Sequence, residues 1–222
     1  MGDESHRWLK RIRMRNRLLK IAPCFEHIAE WRQLLRAGKR WRTEGWFYPV
    51  PYFIRRAQLL QIGRSIGANV AVETGTFRGD TTAFLARHFL EVHTIEVVDS
   101  LARLANERFG SNPSITVWDG DSSEILSKLV PRLDQATLFY LDGHDSGGIT
   151  GKGKKACPVH EELEIIYQSA RCMTAVVIDD ARLFGTDPDY PTVSEILQLM
   201  KKLRACATVR VEHDAIVIHD SP

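Results

Sequence analysis

With 222 residues, of which 44% are hydrophobic, the chain is long enough for one α/β domain with a core and an appendage. Its net charge of +2 excludes a protein that is basic throughout, and no apolar run approaches the roughly 20 residues of a membrane span. Four scattered cysteines without a Cys-x-x-Cys pair exclude a disulfide scaffold. They favour reduced thiols, so we expect a cytoplasmic protein.

Residues 1–48 are predicted to form a basic, Trp-rich N-terminal helical arm. Up to Arg42 the chain has 12 Lys and Arg against 4 Asp and Glu, whereas the remainder has 18 against 24. Residues 7–20 carry seven bases and no acid, with apolar residues at helical spacing at Trp8, Ile12 and Leu19. One interpretation is a solvated helix that packs on the core or on a second subunit, and the other is a contact with RNA, a membrane surface or another anionic partner. We favour a homo-oligomer contact or a cover for part of the site over a contact with nucleic acid.

After this arm, the proline-containing segment Y-P-V-P at residues 48–51 predicts a boundary, and residues 49–222 are predicted to form one α/β domain. The predicted helices cover residues 52–66, 81–88, 100–108, 123–130, 159–169 and 192–203. The predicted strands between them cover residues 70–73, 93–97, 115–118, 137–142 and 175–179. Two further β-rich runs, 208–212 and 215–219, predict an antiparallel hairpin. The expected fold is therefore Rossmann-like and doubly wound, a mostly parallel seven-stranded sheet with a C-terminal antiparallel hairpin.

A glycine-containing turn follows the first predicted strand, in V-A-V-E-T-G-T-F-R-G-D-T-T at residues 70–82. Gly75 can adopt a positive φ and lets the backbone approach a ligand closely. The spacing E-x-G-x-x-x-G differs from the dinucleotide pattern G-x-G-x-x-G. Glu73 would repel a pyrophosphate but suits a cofactor that carries an ammonium group. An ordinary strand-to-helix turn is the alternative.

Acidic residues end each of the five predicted parallel strands. They are Glu73, Glu96, Asp119 with Asp121, Asp142, and Asp179 with Asp180. Ligands of open parallel sheets bind outside the carboxyl ends of the strands, so this recurrence predicts a binding site. Each acid taken alone could instead cap a helix, but capping explains five successive strand ends poorly.

The same residues resemble the class I S-adenosylmethionine-dependent methyltransferases. The segment E-T-G-T-F-R-G is similar to their glycine motif, and T-I-E at residues 94–96 is similar to the segment that carries the acid after the second strand. The segment G-D-S-S at residues 120–123 is similar to their adenine-binding segment. The resemblance implies that residues 49–222 form a methyltransferase domain that binds S-adenosylmethionine. It implies that the cofactor's methionine moiety lies near Glu73 and Gly75, with Thr76 and Gly79 in the same turn. It also implies that Glu96 binds the ribose hydroxyls, and that the adenine contacts Asp121 and Ser122.

A second pair of segments resembles the metal-binding pair of the magnesium-dependent O-methyltransferases. These are L-F-Y-L-D-G-H-D-S at residues 138–146 and V-V-I-D-D-A-R-L-F at residues 176–184. The resemblance implies that Asp142, Asp179 and Asp180 bind Mg²⁺, a cation that prefers hard oxygen ligands. Without a cation, three crowded carboxylates would repel one another.

The expected reaction is methyl transfer to a metal-bound hydroxyl of a small molecule, such as a sugar or a natural product. Asp142 and His144 are the candidate catalytic residues, with His144 as base and Asp145 as its competitor. Glu161 or Glu162 is a further candidate for the substrate pocket. Two alternatives remain open: a metal-independent methyltransferase, and a non-catalytic cofactor-binding or RNA-binding protein that uses the basic arm.

Overall fold

The computed structural model of the protein describes residues 49–143 and 157–220. The predicted arm, residues 1–48, and the candidate base His144 with its competitor Asp145 lie outside the described residues. Within the described ranges, no helix is both long enough and apolar enough to cross a membrane. The two ranges contain every helix and strand that the sequence predicts after residue 51.

Seven strands form one sheet in the described part of the chain. They are β1 (Val70–Thr74), β2 (Glu91–Glu96), β3 (Ile115–Asp119), β4 (Thr137–Leu141), β5 (Thr174–Ile178), β6 (Ala207–Glu212) and β7 (Ala215–Asp220). Their order is β3-β2-β1-β4-β5-β7-β6. Strands β1 to β5 pair in parallel, whereas β7 is antiparallel to both β5 and β6. The predicted mostly parallel sheet with a C-terminal antiparallel hairpin is confirmed.

Six α-helices accompany these strands within the described residues, one before β1 and five between strands. They are α1 (Tyr52–Ser65), α2 (Asp80–Leu85), α3 (Asp99–Phe109), α4 (Ser122–Leu129), α5 (Val159–Ser169) and α6 (Val193–Leu203). Short 3-10 turns follow α4 and β5, at Val130–Arg132 and Ala181–Leu183. The predicted extension of α2 to residue 88 is wrong, because the amides of His88 and Phe89 both donate to the Leu85 carbonyl at 2.9 Å and close the helix in a turn.

Helices cover both faces of the sheet, as expected for a doubly wound fold. Adjacent residues of a strand point to opposite faces, so Val72 of β1 packs in one cluster and its neighbour Ala71 in another. The Val72 cluster contains apolar residues of α4, α5 and α6, while the Ala71 cluster contains those of α1, α2 and α3. Every residue of β1, β4 and β5 is buried, which is the pattern of strands covered on both sides.

Candidate functional site

The carboxyl ends of the parallel strands lie level along one edge of the sheet. Thr74, the last residue of β1, pairs with Leu141, the last residue of β4, and Leu141 pairs in turn with Ile178 at the end of β5. On the other side, Glu96 of β2 pairs with Asp119 of β3. The register therefore brings the acidic strand ends that the sequence predicts to one edge.

The turn after β1 touches the chain that follows β4. Gly75 has a φ of +86°, and a Cβ atom built there would lie 2.6 Å from the Asp142 carbonyl oxygen and 3.0 Å from the Gly143 Cα. Only glycine fits both this backbone conformation and this approach. The turn closes when the amide of Gly79, itself at a φ of +71°, donates to the Thr76 carbonyl at 2.7 Å. Gly75 and Asp142 thus lie side by side at the middle of the edge.

Glu73 is buried inside a network of threonine hydroxyls. Its Oε2 accepts from the Thr82 hydroxyl at 2.5 Å and from the Thr94 hydroxyl at 2.8 Å, and Thr94 also lies 2.6 Å from the Thr76 hydroxyl. Burial raises the pKa of Glu73 to about 7. The network fixes the turn after β1 against β2 and α2, and a contact of Glu73 with a methionine moiety stays a prediction.

Glu96 closes β2 with a carboxylate that two backbone amides hold in place. Its Oε2 accepts from Phe77 at 2.8 Å and its Oε1 from Val98 at 3.0 Å. Burial raises the pKa of Glu96, and these two amides act against that shift. A carboxylate has about four lone-pair sites, so Glu96 retains acceptor capacity for a pair of vicinal hydroxyls.

Asp121 caps helix α4. Its Oδ1 accepts from the amides of Ser123 at 3.0 Å and Glu124 at 3.4 Å. This is the helix-cap role that the sequence leaves open for each strand-end acid. Ser122 is the first residue of the capped helix. The contacts of Asp121 and Ser122 with an adenine stay predictions.

Two residues that the sequence did not single out, Tyr140 and Arg55, organise the acids after β4 and β5. The Tyr140 hydroxyl lies 3.2 Å from Asp142 Oδ2 and also bonds to Asp179 Oδ2. The buried Arg55 of α1 donates to Asp179 Oδ1, to the Gln58 side chain and, at 2.9 Å, to the Asp214 carbonyl. Desolvation and the charges of Asp179 and Asp180 raise the pKa of Asp142 well above its usual range.

A signal for Arg55 is present in α1. Its buried positions, Arg55, Gln58, Leu59 and Ile62, follow helical spacing, so two polar residues share the face that packs on the sheet. Buried polar groups need partners, and a buried arginine in particular requires a carboxylate. Tyr140 carries a similar signal, as a phenol between two apolar residues of the buried strand T-L-F-Y-L.

Asp180 adopts a strained backbone and pairs with an arginine. Its φ is +57°, in the left-handed region that non-glycine residues seldom occupy, and its amide donates to Asp179 Oδ1 at 2.8 Å. Arg182 donates to Asp180 Oδ1 at 2.7 Å and also to the Asp214 carboxylate. Strain of this kind persists where the surrounding structure holds the residue in place, often at functional sites.

Comparison with known proteins finds similarity in structure alone. No protein-family model matches the chain, and no curated protein matches its sequence. The O-methyltransferase TomG from Streptomyces achromogenes, involved in tomaymycin synthesis and solved with SAM, is 21% identical over 85% of this chain and 90% of its own, with a TM-score of 0.53. An O-methyltransferase from Bacillus cereus in complex with SAH is 18% identical over 84% of this chain and 87% of its own, with a TM-score of 0.53. The chain has the class I S-adenosylmethionine-dependent methyltransferase fold.

The strand edge of this methyltransferase fold suits the chemistry of S-adenosylmethionine. Glu96 offers acceptors for a ribose diol, and the φ of Gly75 lets backbone come close to a ligand. Among the described residues, the Thr74 hydroxyl and both carboxylate oxygens of Glu162 are buried without a hydrogen-bond partner. The Ser122 and Thr74 hydroxyls act on Glu162 and offset part of the rise in pKa that its burial causes.

The described acids fit Mg²⁺ less well. Residues 49–143 and 157–220 contain no group of three or more His, Cys, Asp or Glu side chains arranged to hold a metal ion. Arg55 and Tyr140 engage both carboxylate oxygens of Asp179, and Arg182 engages Asp180. A cation at Asp179 would have to displace the Arg55 guanidinium, which already balances that charge. Mg²⁺ binding by Asp142, Asp179 and Asp180 therefore stays a prediction that this arrangement does not favour.

Proposed function

We propose that the chain is an S-adenosylmethionine-dependent O-methyltransferase that acts on a hydroxylated small molecule of the sugar or natural-product type. The observation that carries this proposal is the contact between Gly75 and the Asp142–Gly143 backbone, which joins the predicted cofactor turn to the acid cluster. The part played by TomG in tomaymycin synthesis supports a natural-product acceptor.

When bound, S-adenosylmethionine supplies an electrophilic methyl group on a sulfonium centre. In this proposal Glu96 accepts hydrogen bonds from the ribose hydroxyls, and the turn at Gly75 lets the methionine moiety lie against backbone. The acidic edge favours the positive charge of the sulfonium and ammonium groups. These contacts orient the methyl group toward an acceptor held beside Asp142.

Asp142 is the described residue best suited to take the proton from the acceptor hydroxyl. Desolvation and two neighbouring acids raise its pKa well above the usual range of a carboxyl group, which makes its ionised form a stronger base. Tyr140 holds the Asp142 carboxyl through the contact at 3.2 Å. His144, the base predicted from the sequence, lies outside the described residues and remains a second candidate.

Isothermal titration of the full chain with S-adenosylhomocysteine tests the cofactor assignment without knowledge of the acceptor. We expect Glu96→Ala to weaken binding by roughly 10- to 100-fold, because two hydrogen bonds to a charged acceptor are lost. The matched control is Glu164→Ala, which removes an exposed glutamate of α5. A wild-type protein that binds no S-adenosylhomocysteine would contradict the proposal.

Metal-assisted methyl transfer is a second candidate, favoured by the meeting of Asp142 and Asp179 at the Tyr140 hydroxyl. Binding of Mn²⁺, followed by electron paramagnetic resonance, separates it from the metal-independent reaction. If Arg55 supplies the balancing charge, the wild type binds Mn²⁺ weakly and Arg55→Gln binds it more tightly. Tight binding by the wild type that Asp179→Asn abolishes would instead place a metal site at Asp179 and favour the metal-assisted reaction.

A further inference from the structure

A buried histidine of β2, His93, lies between a tryptophan and a glutamate. It is 5% exposed, and its Nδ1 accepts a hydrogen bond from the Trp118 indole of β3 at 3.2 Å. Its Nε2 lies 2.9 Å from Glu91 Oε1. An indole N–H only donates, so Nδ1 carries no proton, and in the neutral ring the proton lies on Nε2, facing Glu91. The bond from Trp118 therefore requires a neutral imidazole.

Protonation of His93 is incompatible with this bond. In imidazolium both ring nitrogens donate, so an N–H at Nδ1 would face the indole N–H of Trp118. The contact with Glu91 would remain, because Nε2 carries a proton in either state and a carboxylate accepts from it. Protonation thus removes the contact of His93 with Trp118 and keeps the contact with Glu91.

The surroundings of His93 set the direction in which its pKa moves. Burial lowers the pKa of His93 from its ordinary value of 6.5, and the charge of Glu91 acts against this shift. Arg132 and Asp134, which follow α4, line the same cleft and carry opposite charges. The folded protein therefore favours neutral His93, and the contribution of this residue to stability falls as the pH decreases below 6.5.

The Trp118 side chain has room to turn once its bond to His93 is broken. It is only partly buried, and it lines a cleft of about 200 Å³ beside the end of α4. The apolar residues of this cleft are Val70, Leu129 and Leu133. The cleft offers the indole an apolar wall on which to rest away from His93.

The end of β3 joins Trp118 to the predicted cofactor edge. Asp119, the next residue, pairs in the sheet with Glu96, which is expected at the ribose hydroxyls. The amide of Gly120 then donates to the Glu96 carbonyl at 2.9 Å. The bond between Trp118 and His93 therefore holds the strand end that lies beside Glu96.

We propose that neutral His93 is a positioning residue that fixes the end of β3 through Trp118, and that its protonation releases Trp118 and weakens cofactor binding. The effect on the cofactor rests on the proposed function, whereas the release of Trp118 does not. Cofactor affinity then depends on pH through a residue that lies three positions before Glu96 and points to the opposite face of the sheet.

Nuclear magnetic resonance of the full chain with isotope-labelled tryptophan follows this bond directly. Of the five indole signals, the one missing in Trp118→Phe belongs to Trp118. Between about pH 7.5 and about pH 5, we expect this signal in the wild type to move with a midpoint below 6.5. In His93→Asn the amide oxygen takes the place of Nδ1 and cannot titrate, so the signal should not move. His219→Asn, which changes a histidine of β7, should follow the wild type.

Isothermal titration with S-adenosylhomocysteine at about pH 7.5 and about pH 5.5 measures the effect on the cofactor site. Acids of the site titrate in the same range, so the informative quantity is the difference between proteins. On acidification we expect the wild type and His219→Asn to lose about three- to tenfold more affinity than His93→Asn, which is the effect of one hydrogen bond.

A wild-type Trp118 signal that stays fixed across this pH range would overturn the role of His93, even if His93→Asn failed to fold. A folded His93→Asn in which the Trp118 signal or the affinity keeps the wild-type pH dependence would contradict it as well. If the wild type binds no S-adenosylhomocysteine at either pH, the proposed function fails, and the Trp118 signal still decides whether neutral His93 holds Trp118.

Discussion

Glu73 and Glu162 are two buried carboxylates beside the same strand edge, and they differ in their hydrogen bonds. Two threonine hydroxyls donate to Glu73, whereas the hydroxyls of Ser122 and Thr74 approach Glu162 outside normal hydrogen-bond geometry. Burial raises the pKa of each to about 7. Since its donors lie within the fold, Glu73 supports the turn after β1.

The raised pKa of Glu73 predicts how stability depends on pH. Between its ordinary value of 4.5 and the folded value of about 7, the folded protein holds a proton that the unfolded chain has released. Stability attributable to Glu73 is therefore present at low pH and falls as the pH rises through this window. In Glu73→Gln the amide cannot titrate, but its oxygen still accepts from Thr82 and Thr94.

From about pH 5 to about pH 7.5, we expect the free energy of unfolding of the wild type to fall by about 1 to 2 kcal/mol more than that of Glu73→Gln. Urea unfolding at both pH values measures this difference. Glu164→Gln should follow the wild type, because its side chain is exposed. Parallel pH profiles for Glu73→Gln and the wild type would contradict a buried, titrating Glu73.

Strand-end acids could be predicted from the sequence because they follow apolar runs directly. The capping role of Asp121 is equally local, since it depends on amides two and three residues ahead. The partners of Asp179 could not be found in this way. Arg55 lies 124 residues before it in the chain and Tyr140 lies 39 before it, and only the folded sheet brings them together.

At the scale of elements, the loops after β1 and β4 depend on each other through Gly75. Gly75→Ala would place a methyl group 2.6 Å from the Asp142 carbonyl oxygen, at a φ of +86°. We expect the variant to lose about 1 to 3 kcal/mol of stability, from left-handed strain and displaced backbone. Binding of S-adenosylhomocysteine should fall at least about tenfold, since both loops line the proposed site.

Gly67 provides the control for this substitution. It has a φ of +63° but nothing within 4 Å of a built Cβ, so Gly67→Ala introduces strain without the clash. Thermal unfolding and titration of both variants separate the two effects. Loss of binding in Gly67→Ala as large as that in Gly75→Ala would show that global destabilisation, and not the contact with Asp142, is responsible.

The order of the elements followed from the sequence, while some of their ends did not. Alternating apolar strands and amphipathic helices predicted the doubly wound sheet, because parallel strands need helical crossovers. The predicted start of β2 at residue 93 is wrong, since the strand begins at Glu91. The amides of Leu90 and Glu91 both donate to the Asn69 carbonyl, a contact between distant segments that draws the exposed Glu91 into the sheet.

At the scale of the whole molecule, the described residues supply their own core. Apolar residues from three helices cover each face of the sheet, and all of these helices begin after residue 51. For residues 1–48, which lie outside the described residues, the basic and apolar pattern of the sequence favours the prediction of an intermolecular contact.

We expect residues 49–222 to fold without the arm and to bind S-adenosylhomocysteine within about threefold of the full chain, whereas the oligomeric state should fall to a monomer. Light scattering after gel filtration and titration of both proteins measure these properties. Alanine at Trp8, Ile12 and Leu19 in the full chain should reproduce the monomer if apolar contacts join the subunits.

A fragment that keeps the oligomeric state of the full chain would contradict the intermolecular role. A fragment that aggregates or binds no ligand would assign the arm to the domain itself, because its removal would then have uncovered part of the core or of the site.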